Sequence, residues 1–375
     1  MGHKKEVIIV GGGLAGLVSA IHLSKQGVHV TVIEKNEYPK HKVCGEYISN
    51  EVLPYLSFLE VNPHEYGAKK ITKFAISTVD SKLIETRLPL GGFGISRYTL
   101  DQLLAEKAIE NGVTISKDAV VDISFQNDEF SVFTKTQKKY ISKVVIGAYG
   151  KRSAIDVQLK RDFIKNDSPY LAVKTHVKGD FPDDLVALHN FKGGYCGVSK
   201  VENDHVNLCY ITNYKAFKKY KNIDDFQQKV LNKNTHLKEI FENSISVFEK
   251  PLTISQVSFS SKNPVDNHII MCGDTAGMIH PLCGNGMSMA IHGAKVASEL
   301  IIDFLDNKMS RQVLEKNYEK KWNEEFKSRL KTGHFIAKLF RMQAFSELML
   351  YGLQSFPSLL PKIIKQTHGK PLNVE

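Results

Sequence analysis

As a pattern of apolar and polar positions, the chain opens with a short apolar run, EVIIV at residues 6–10, that breaks at Gly11 to Gly16. The next stretch, LVSAIHLSKQG, repeats its apolar residues at helical spacing and stops at Gly27. A second apolar run, VHVTVIE, ends on Glu34. Residues 38–49 are rich in turn formers and lead into a helix predicted over 50–59. Residues 71–88 alternate as two strands, and 91–97 read as a loop. Leu100, Leu103, Leu104 and Ala108 then share one face of a helix that ends at Gly112. Three strands follow, over 113–121, 128–134 and 140–146. From 170 to 260 the pattern changes to longer strands, with 194–199 and 205–210 forming a hairpin around 201–204. A charged helical stretch over 217–241 reads as a solvated face. Ile269 to Cys272 is a last apolar strand, followed by a long helix of small and apolar residues. Beyond Asp306 the chain reads as helical, broken by Pro357 and Pro361.

Strand, glycine turn, helix, strand and acid stand at the start in the order of a dinucleotide-binding βαβ unit. Gly11 permits the tight turn, and Gly13 lets backbone approach a pyrophosphate at the helix N-terminus. Gly16 lets the helix lie close to the sheet. Glu34, 23 residues after Gly11, stands where an acid accepts bonds from ribose hydroxyls.

A second stretch runs from Cys272-Gly273-Asp274 through His280-Pro281-Leu282-Cys283-Gly284-Asn285-Gly286-Met287. An acid at a strand end suits a flexible polyol. Gly284 and Gly286 free backbone N–H groups at the next helix start to face an electron-rich ring. These two stretches, with Ser96-Arg97 before a helix and Gly147-Ala148-Tyr149-Gly150 with Ser153, resemble the FAD-dependent oxidoreductases of p-hydroxybenzoate-hydroxylase fold. Within that group, Lys42-Val43-Cys44-Gly45-Glu46 and the run from Gly273-Asp274 to His292-Gly293-Ala294-Lys295 look most like the geranylgeranyl reductase branch.

The resemblance implies an α/β fold: a Rossmann-type FAD-binding domain, an inserted antiparallel-sheet substrate domain and C-terminal helices. The expected division assigns 1–70, 97–160 and 261–305 to the FAD domain, 71–96 and 161–260 to the substrate domain, and 306–375 to a helical region. It implies that Gly11, Gly13, Gly16, Glu34, Arg97 and Asp274 hold FAD, and that residues 281–287 line the isoalloxazine. Leu14, Ala15, Lys35, Lys42, Cys44, Gly150, Gly273, Pro281, Gly284, Asn285, Gly286 and Met287 complete the expected cofactor set. Three positions depart from the relatives. Tyr149 stands where an acid is usual. Tyr195-Cys196-Gly197-Val198-Ser199 replaces the aromatic Tyr-x-Trp-x-Phe-Pro strand of the prenyl reductases. The single tryptophan, Trp322, excludes the paired-tryptophan strand of the flavin halogenases.

FAD carries the electron chemistry in such enzymes, and the protein supplies placement and electrostatics. Cys44, in the loop that the resemblance sets over the flavin, is the expected proton donor to a substrate carbon, with a small packing residue as the alternative. His280 is a second candidate acid, against a satisfied structural histidine. Tyr195, Gly197 and Tyr210 are the substrate candidates; period-two alternation puts Tyr195 and Gly197 on one face without saying which face meets the cavity. No disulfide is expected between Cys196 and Cys209, which would not lie opposite each other. The leading reading is reduction or dehydrogenation of a carbon–carbon double bond in an apolar, lipid-like or polyene molecule. NAD(P)H-dependent monooxygenation of an aromatic or apolar substrate is the first alternative, and a non-catalytic flavin or lipid carrier the second. NAD(P)H would visit transiently, since no second nicotinamide fingerprint is visible.

Composition narrows this picture. The 375 residues are 42% hydrophobic and 24% charged, ordinary globular material with five widely spaced cysteines and no CxxC. That favours reduced thiols, a cytoplasmic location and no metal site, and the early first strand leaves no room for a signal peptide. Net charge is +10, and residues 306–375 hold 13 Lys and Arg against 7 Asp and Glu. The same tail carries Phe335, Ile336, Leu339, Phe340, Phe345, Leu348, Met349 and Leu350. It reads either as surface helices packed on the body or as a peripheral contact with an anionic membrane. No basic module suited to nucleic acid is present.

Overall fold

The computed structural model describes residues 6–166, 169–257, 259–341, 352–353 and 358–374, without the side chains of 256 and 339–341. Phe345, Leu348, Met349 and Leu350, the side chains of Leu339 and Phe340, and Pro357 lie outside the described residues.

Two large sheets organise the molecule. The first has six strands in the order Val265–Asp266, Ile269–Met271, Val144–Gly147, Glu6–Val10, His29–Glu34 and Thr114–Lys117. All pairings are parallel except that of Val265–Asp266. Its central strands are almost wholly apolar because they are covered by helices and by a three-stranded sheet, Val120–Gln126, Glu129–Thr134 and Lys139–Ser142, whose Ile123, Phe130 and Val132 join the same core. Leu17, Val18 and Ile21 of helix Leu14–Lys25 join Leu100 and Leu104 of helix Arg97–Glu110 and Ile291 and Ile301 of helix Gly286–Leu305 in one core. Ser96 caps helix Arg97–Glu110, its Oγ accepting from Thr99 N at 3.0 Å.

The second sheet has nine strands. Its path runs Ile245–Ser246, Tyr170–Lys178, His205–Asn213, Gly194–Lys200, Leu185–Phe191, Lys69–Ser77, Leu83–Gly94 and Tyr47–Ser49, with Leu252–Val257 also paired to Tyr170–Lys178. One face packs Val173, Cys196, Val198, Leu208 and Tyr210 against Phe226, Leu231 and Leu237 of the 223–242 helical segment. The other face meets the part of the chain built on the first sheet across a cavity.

Several boundaries differ from the sequence reading. Residues 91–94, read as loop, continue the strand Leu83–Gly94. The three strands expected over 113–146 are five, because 118–119 and Lys143 break the runs. The 217–241 stretch is solvated on one side only, since Phe226, Leu231 and Leu237 are buried. Cys196 pairs in register with Tyr210, and Gly197 with Cys209, so the two thiols are not opposite; all five cysteines are free.

The C-terminal helices pack on the body. Helix Arg311–Arg341 sends Leu314, Tyr318, Trp322 and Phe326 into the first core, and Tyr318 Oη donates to Met271 O at 2.6 Å. Helix Leu359–Thr367 buries Leu360 and Ile364. The segment after it is fastened to buried Glu51, whose Oε2 accepts from Gly369 N at 2.5 Å and whose carbonyl accepts from Leu372 N at 2.8 Å. Burial raises the Glu51 pKa. Among the described residues no helix is long and apolar enough to cross a membrane.

At Gly16 a Cβ would stand 2.0 Å from the carbonyl oxygen of Gly11, a backbone atom that cannot move aside. Gly16→Ala is therefore expected to lower unfolding free energy by about 2–3 kcal/mol, read from urea melts. Unchanged stability would show that helix and turn do not need this approach.

Candidate active site

The early turn forms a cradle. Gly11 has φ +104°, and a Cβ there would meet the Ala148 carbonyl at 2.5 Å. Gly12 N donates to Glu34 Oε2 at 2.7 Å, so the acid at the end of the second strand already faces the turn. Glu34 Oε1 takes Asn36 N at 2.9 Å. Around Gly13 the space is open: a Cβ would find Arg97 Nη2 at 3.7 Å and Lys42 Nζ at 4.0 Å, and nothing nearer. Both cations are fixed by buried Asp101. Arg97 Nε and Nη2 reach its two oxygens at 2.7 Å each, and Lys42 Nζ reaches Oδ2 at 2.7 Å. Two cations sharing one carboxylate leave a net positive charge beside the helix N-terminus, the electrostatics a pyrophosphate needs. Lys35, beside Glu34, is exposed and does not line the cavity.

The late turn meets the early one. Gly273 has φ +63°, and a Cβ on it would touch Ala15 Cβ at 3.1 Å. Gly150 N donates to Thr275 Oγ1 at 2.8 Å, tying the third glycine loop to the same place. Buried Lys262 donates from Nζ to the carbonyls of Lys151 and Asp274, 2.7 Å each. Burial pushes its pKa down to about 8 against the opposing pull of Asp274. Asn285 Nδ2 donates to Thr367 O at 2.7 Å, which fixes the start of helix Gly286–Leu305 to the C-terminal segment.

A single cavity of about 480 Å³ joins these parts. Gly13, Leu14, Ala15, Arg97 and Gly150 line one end, and Gly273, Asp274 and Pro281 to Met287 line the middle. Phe74, Ile76, Leu88, Val186, Leu188, Tyr195, Gly197 and Ile211 of the second sheet line the far side. Ile336, Leu353, Leu360, Ile363, Ile364 and His368 close it. The open cradle at Gly13, its cations and the continuity from one glycine turn to the other fit an extended FAD with its phosphates on the early turn and its ring on the late one. The remaining wall is almost wholly apolar.

Of the other expected residues, Cys44 is half-buried and lines the cavity on the loop before strand Tyr47–Ser49. Tyr195 and Gly197 face the cavity. Burial holds the Tyr195 phenol well above its usual pKa. Tyr210 borders the cavity, but its ring packs on Phe191 and Phe226 on the opposite face of the sheet, centroids 6.0 and 6.1 Å away. His280 is not among the lining residues. Its Nδ1 accepts from Leu282 N at 3.4 Å as a cap on the turn Pro281–Cys283, and its ring packs on Phe259 at 4.5 Å. Its ring also stands 6.1 Å from that of cavity-lining Tyr195.

Sequence reasoning singled out the Lys42–Glu46 stretch but missed that Glu46 joins Lys174 and His176 in a buried charge cluster beneath the Cys44 loop. Glu46, Lys174 and His176 are all essentially inaccessible. Glu46 Oε1 accepts from Lys174 Nζ and from Arg97 N, the latter at 2.7 Å, while Oε2 pairs with His176 Nε2 at 2.7 Å. Burial alone would raise the Glu46 pKa; the charge of Lys174 and then the bond to His176 outweigh it and hold the carboxyl below its usual range. The signal was present in YLAVKTHVK, where Lys174 and His176 alternate with Val173 and Val177 and so share one face of a buried strand. Glu202, which accepts from Ser96 N at 2.8 Å and from Thr99 Oγ1 at 2.6 Å, was missed likewise.

Comparison with known proteins agrees with this geometry. The FAD binding domain family matches residues 4–324. The chain is 24% identical to conditioned medium factor receptor 1 of Dictyostelium discoideum, over 95% of this chain and 74% of that protein. It is 22% identical to digeranylgeranylglycerophospholipid reductase 2 of Methanopyrus kandleri, over 92% and 88%. A triple mutant of the flavin-dependent brominase Bmp2 superposes with a TM-score of 0.81 at 18% identity, covering 98% of this chain and 96% of that one. The halogenase PltM in complex with phloroglucinol and FAD superposes at 0.78 with 14% identity, covering 97% and 83%. These likenesses establish the fold. With the family match spanning most of its length and the cradle built to receive the cofactor, the chain belongs to the FAD binding domain family and is an FAD-dependent oxidoreductase of the p-hydroxybenzoate-hydroxylase fold.

Proposed function

We propose that the protein reduces a carbon–carbon double bond in an apolar, lipid-like or polyene substrate. The observation that carries the reading is one cavity in which the cofactor cradle, Cys44 and a long apolar wall all face the same space. An apolar wall of this extent binds hydrocarbon by excluding water and supplies few groups to orient a polar substrate. Similarity to a protein named as a digeranylgeranylglycerophospholipid reductase supports the same class.

Bound FAD would supply the electron pair for such a reduction. Arg97 and Lys42 would hold its phosphates, Glu34 its ribose and Asp274 its polyol chain, with the backbone of residues 281–287 at its ring. Cys44 holds a proton on Sγ and delivers it to the substrate carbon adjacent to the one that accepts hydride. Tyr195 and Gly197 shape the wall opposite. NAD(P)H is the proposed donor, visiting transiently.

The second reading, NAD(P)H-dependent monooxygenation, shares the fold and is separated by product mass. Incubation of the FAD-loaded, reduced protein with a geranylgeranyl lipid is expected to add two hydrogens per double bond; an added oxygen atom would replace the reductase reading. Cys44→Ala is expected to slow product formation by roughly 10²-fold or more with FAD still bound. A wild-type rate would remove Cys44 from the chemistry.

We further propose a peripheral membrane contact at the cavity mouth. Phe335 lines the cavity and is 62% exposed. Lys331 and Lys338 on the same helix, and Lys362 and Lys365 on helix Leu359–Thr367, are exposed. The protein is expected to co-sediment with phosphatidylglycerol vesicles and not with phosphatidylcholine vesicles. Failure to sediment with either would exclude the contact.

A further inference from the structure

The loop that carries Cys44 is held by packing only in part, through half-buried Val43 and Cys44. A Cβ on Gly45 would touch nothing within 4 Å, and the strand pairing of this segment begins only at Tyr47. Beyond that packing, its backbone is held by a set of side chains from the substrate sheet. Lys174 Nζ donates to the carbonyl of Lys42 at 3.2 Å. Asn207 Nδ2 donates to the carbonyls of Cys44 and Gly45 at 3.3 and 2.9 Å. Lys174 and His176 both bond the Glu46 carboxylate. Four of the five positions from Lys42 to Glu46 are thus bonded to two neighbouring strands.

The sheet geometry makes this grip a unit. Lys174 and His176 stand two apart on strand Tyr170–Lys178, and His176 is in register with Asn207 on strand His205–Asn213, so all three project from one face. Each is buried, with 0–1% exposure, where a polar group is retained only if its partners are fixed. Glu46 itself has φ +55°, a region that disfavours any residue with a side chain. The same carboxylate takes Arg97 N, so the phosphate-gripping helix start and the Cys44 loop share one anchor.

We propose that Lys174, His176 and Asn207 are positioning residues that clamp the 42–46 loop from the substrate sheet and set Cys44 against the cavity. The proposal deepens, and rests on, the reading of Cys44 as the group that faces the reacting carbon. The clamp ties the placement of the proton donor to the same sheet that shapes the substrate wall, so the two halves of the site cannot drift independently.

The test reads the loop directly through its thiol. The FAD-loaded full chain is treated with iodoacetamide, and alkylation of Cys44 is quantified by peptide mass, with buried Cys196 and Cys272 as internal references. In Asn207→Ala, Cys44 is expected to react about tenfold faster, as two hydrogen bonds to the loop are lost, with both reference thiols unchanged and FAD affinity within about threefold. The double variant Lys174→Met/Glu46→Gln, which leaves no unpaired buried charge, is expected to release Cys44 likewise and serves if the first variant does not fold. Release of Cys44 alone in either variant supports the clamp. Cys44 reactivity within about twofold of wild type in every folded variant, or equal acceleration of all three thiols, overturns it. A fully active Cys44→Ala would remove the chemical role of the thiol while leaving this readout intact, so the two failures are distinguishable.

Discussion

Backbone meeting backbone where no side chain fits is the constraint on which the rest depends. Gly16 lies on the carbonyl of Gly11, Gly11 lies on that of Ala148, and the backbone of Gly273 lies against the Ala15 methyl group. These three approaches bring the ends of parallel strands and the starts of two long helices to one point. The unpaired N–H groups at those helix starts then converge on a shared space, and that convergence makes an anion and an electron-rich ring welcome there. Every other part of the site is arranged around this point. Arg97 and Lys42 add charge on one side, the 281–287 turn adds backbone on another, and the nine-stranded sheet supplies the apolar wall.

The second organising feature is how charge is hidden. Lys174 has no solvent exposure, and neither does Glu46. Removing both from water is costly, and their mutual attraction offsets that cost only with good geometry and further bonds from His176 and Arg97 N. Such a cluster contributes specificity of placement more than stability. It joins the strand of Lys174 and His176 to the 42–46 loop and the start of helix Arg97–Glu110, where an apolar contact of equal area would tolerate sliding. Asp101 plays the matching part beside the early turn and Arg161, bonded to Asp156, Asp266 and two carbonyls, behind the late turn.

What could be read from the sequence followed the range of the forces involved. The glycine turns, their helices and Glu34 were legible because turn chemistry and helix termini are local. Asp274 and the 281–287 run were legible for the same reason, and the family resemblance supplied their meaning. The far-apart partners were not: nothing in the neighbourhood of Glu46 names Lys174, 128 residues away, or Asn207. The face of the hairpin that meets the cavity was undecidable from alternation alone. Tertiary packing decided it, sending Tyr195 inward and the Tyr210 ring to Phe226. Strand ends at 91–94 and 118–119 were missed because glycine and a single polar break carry opposite meanings in different sheets.

The C-terminal segment closes the cavity with residues that follow every other part of its wall in chain order. Leu360, Ile363, Ile364 and His368 seat last, fastened through Thr367, Gly369 and Leu372 to Asn285 and Glu51. During synthesis the apolar interior therefore stays open to water until these residues leave the ribosome, long after both sheets are complete. The nascent chain has a window in which its greasiest surface is bare.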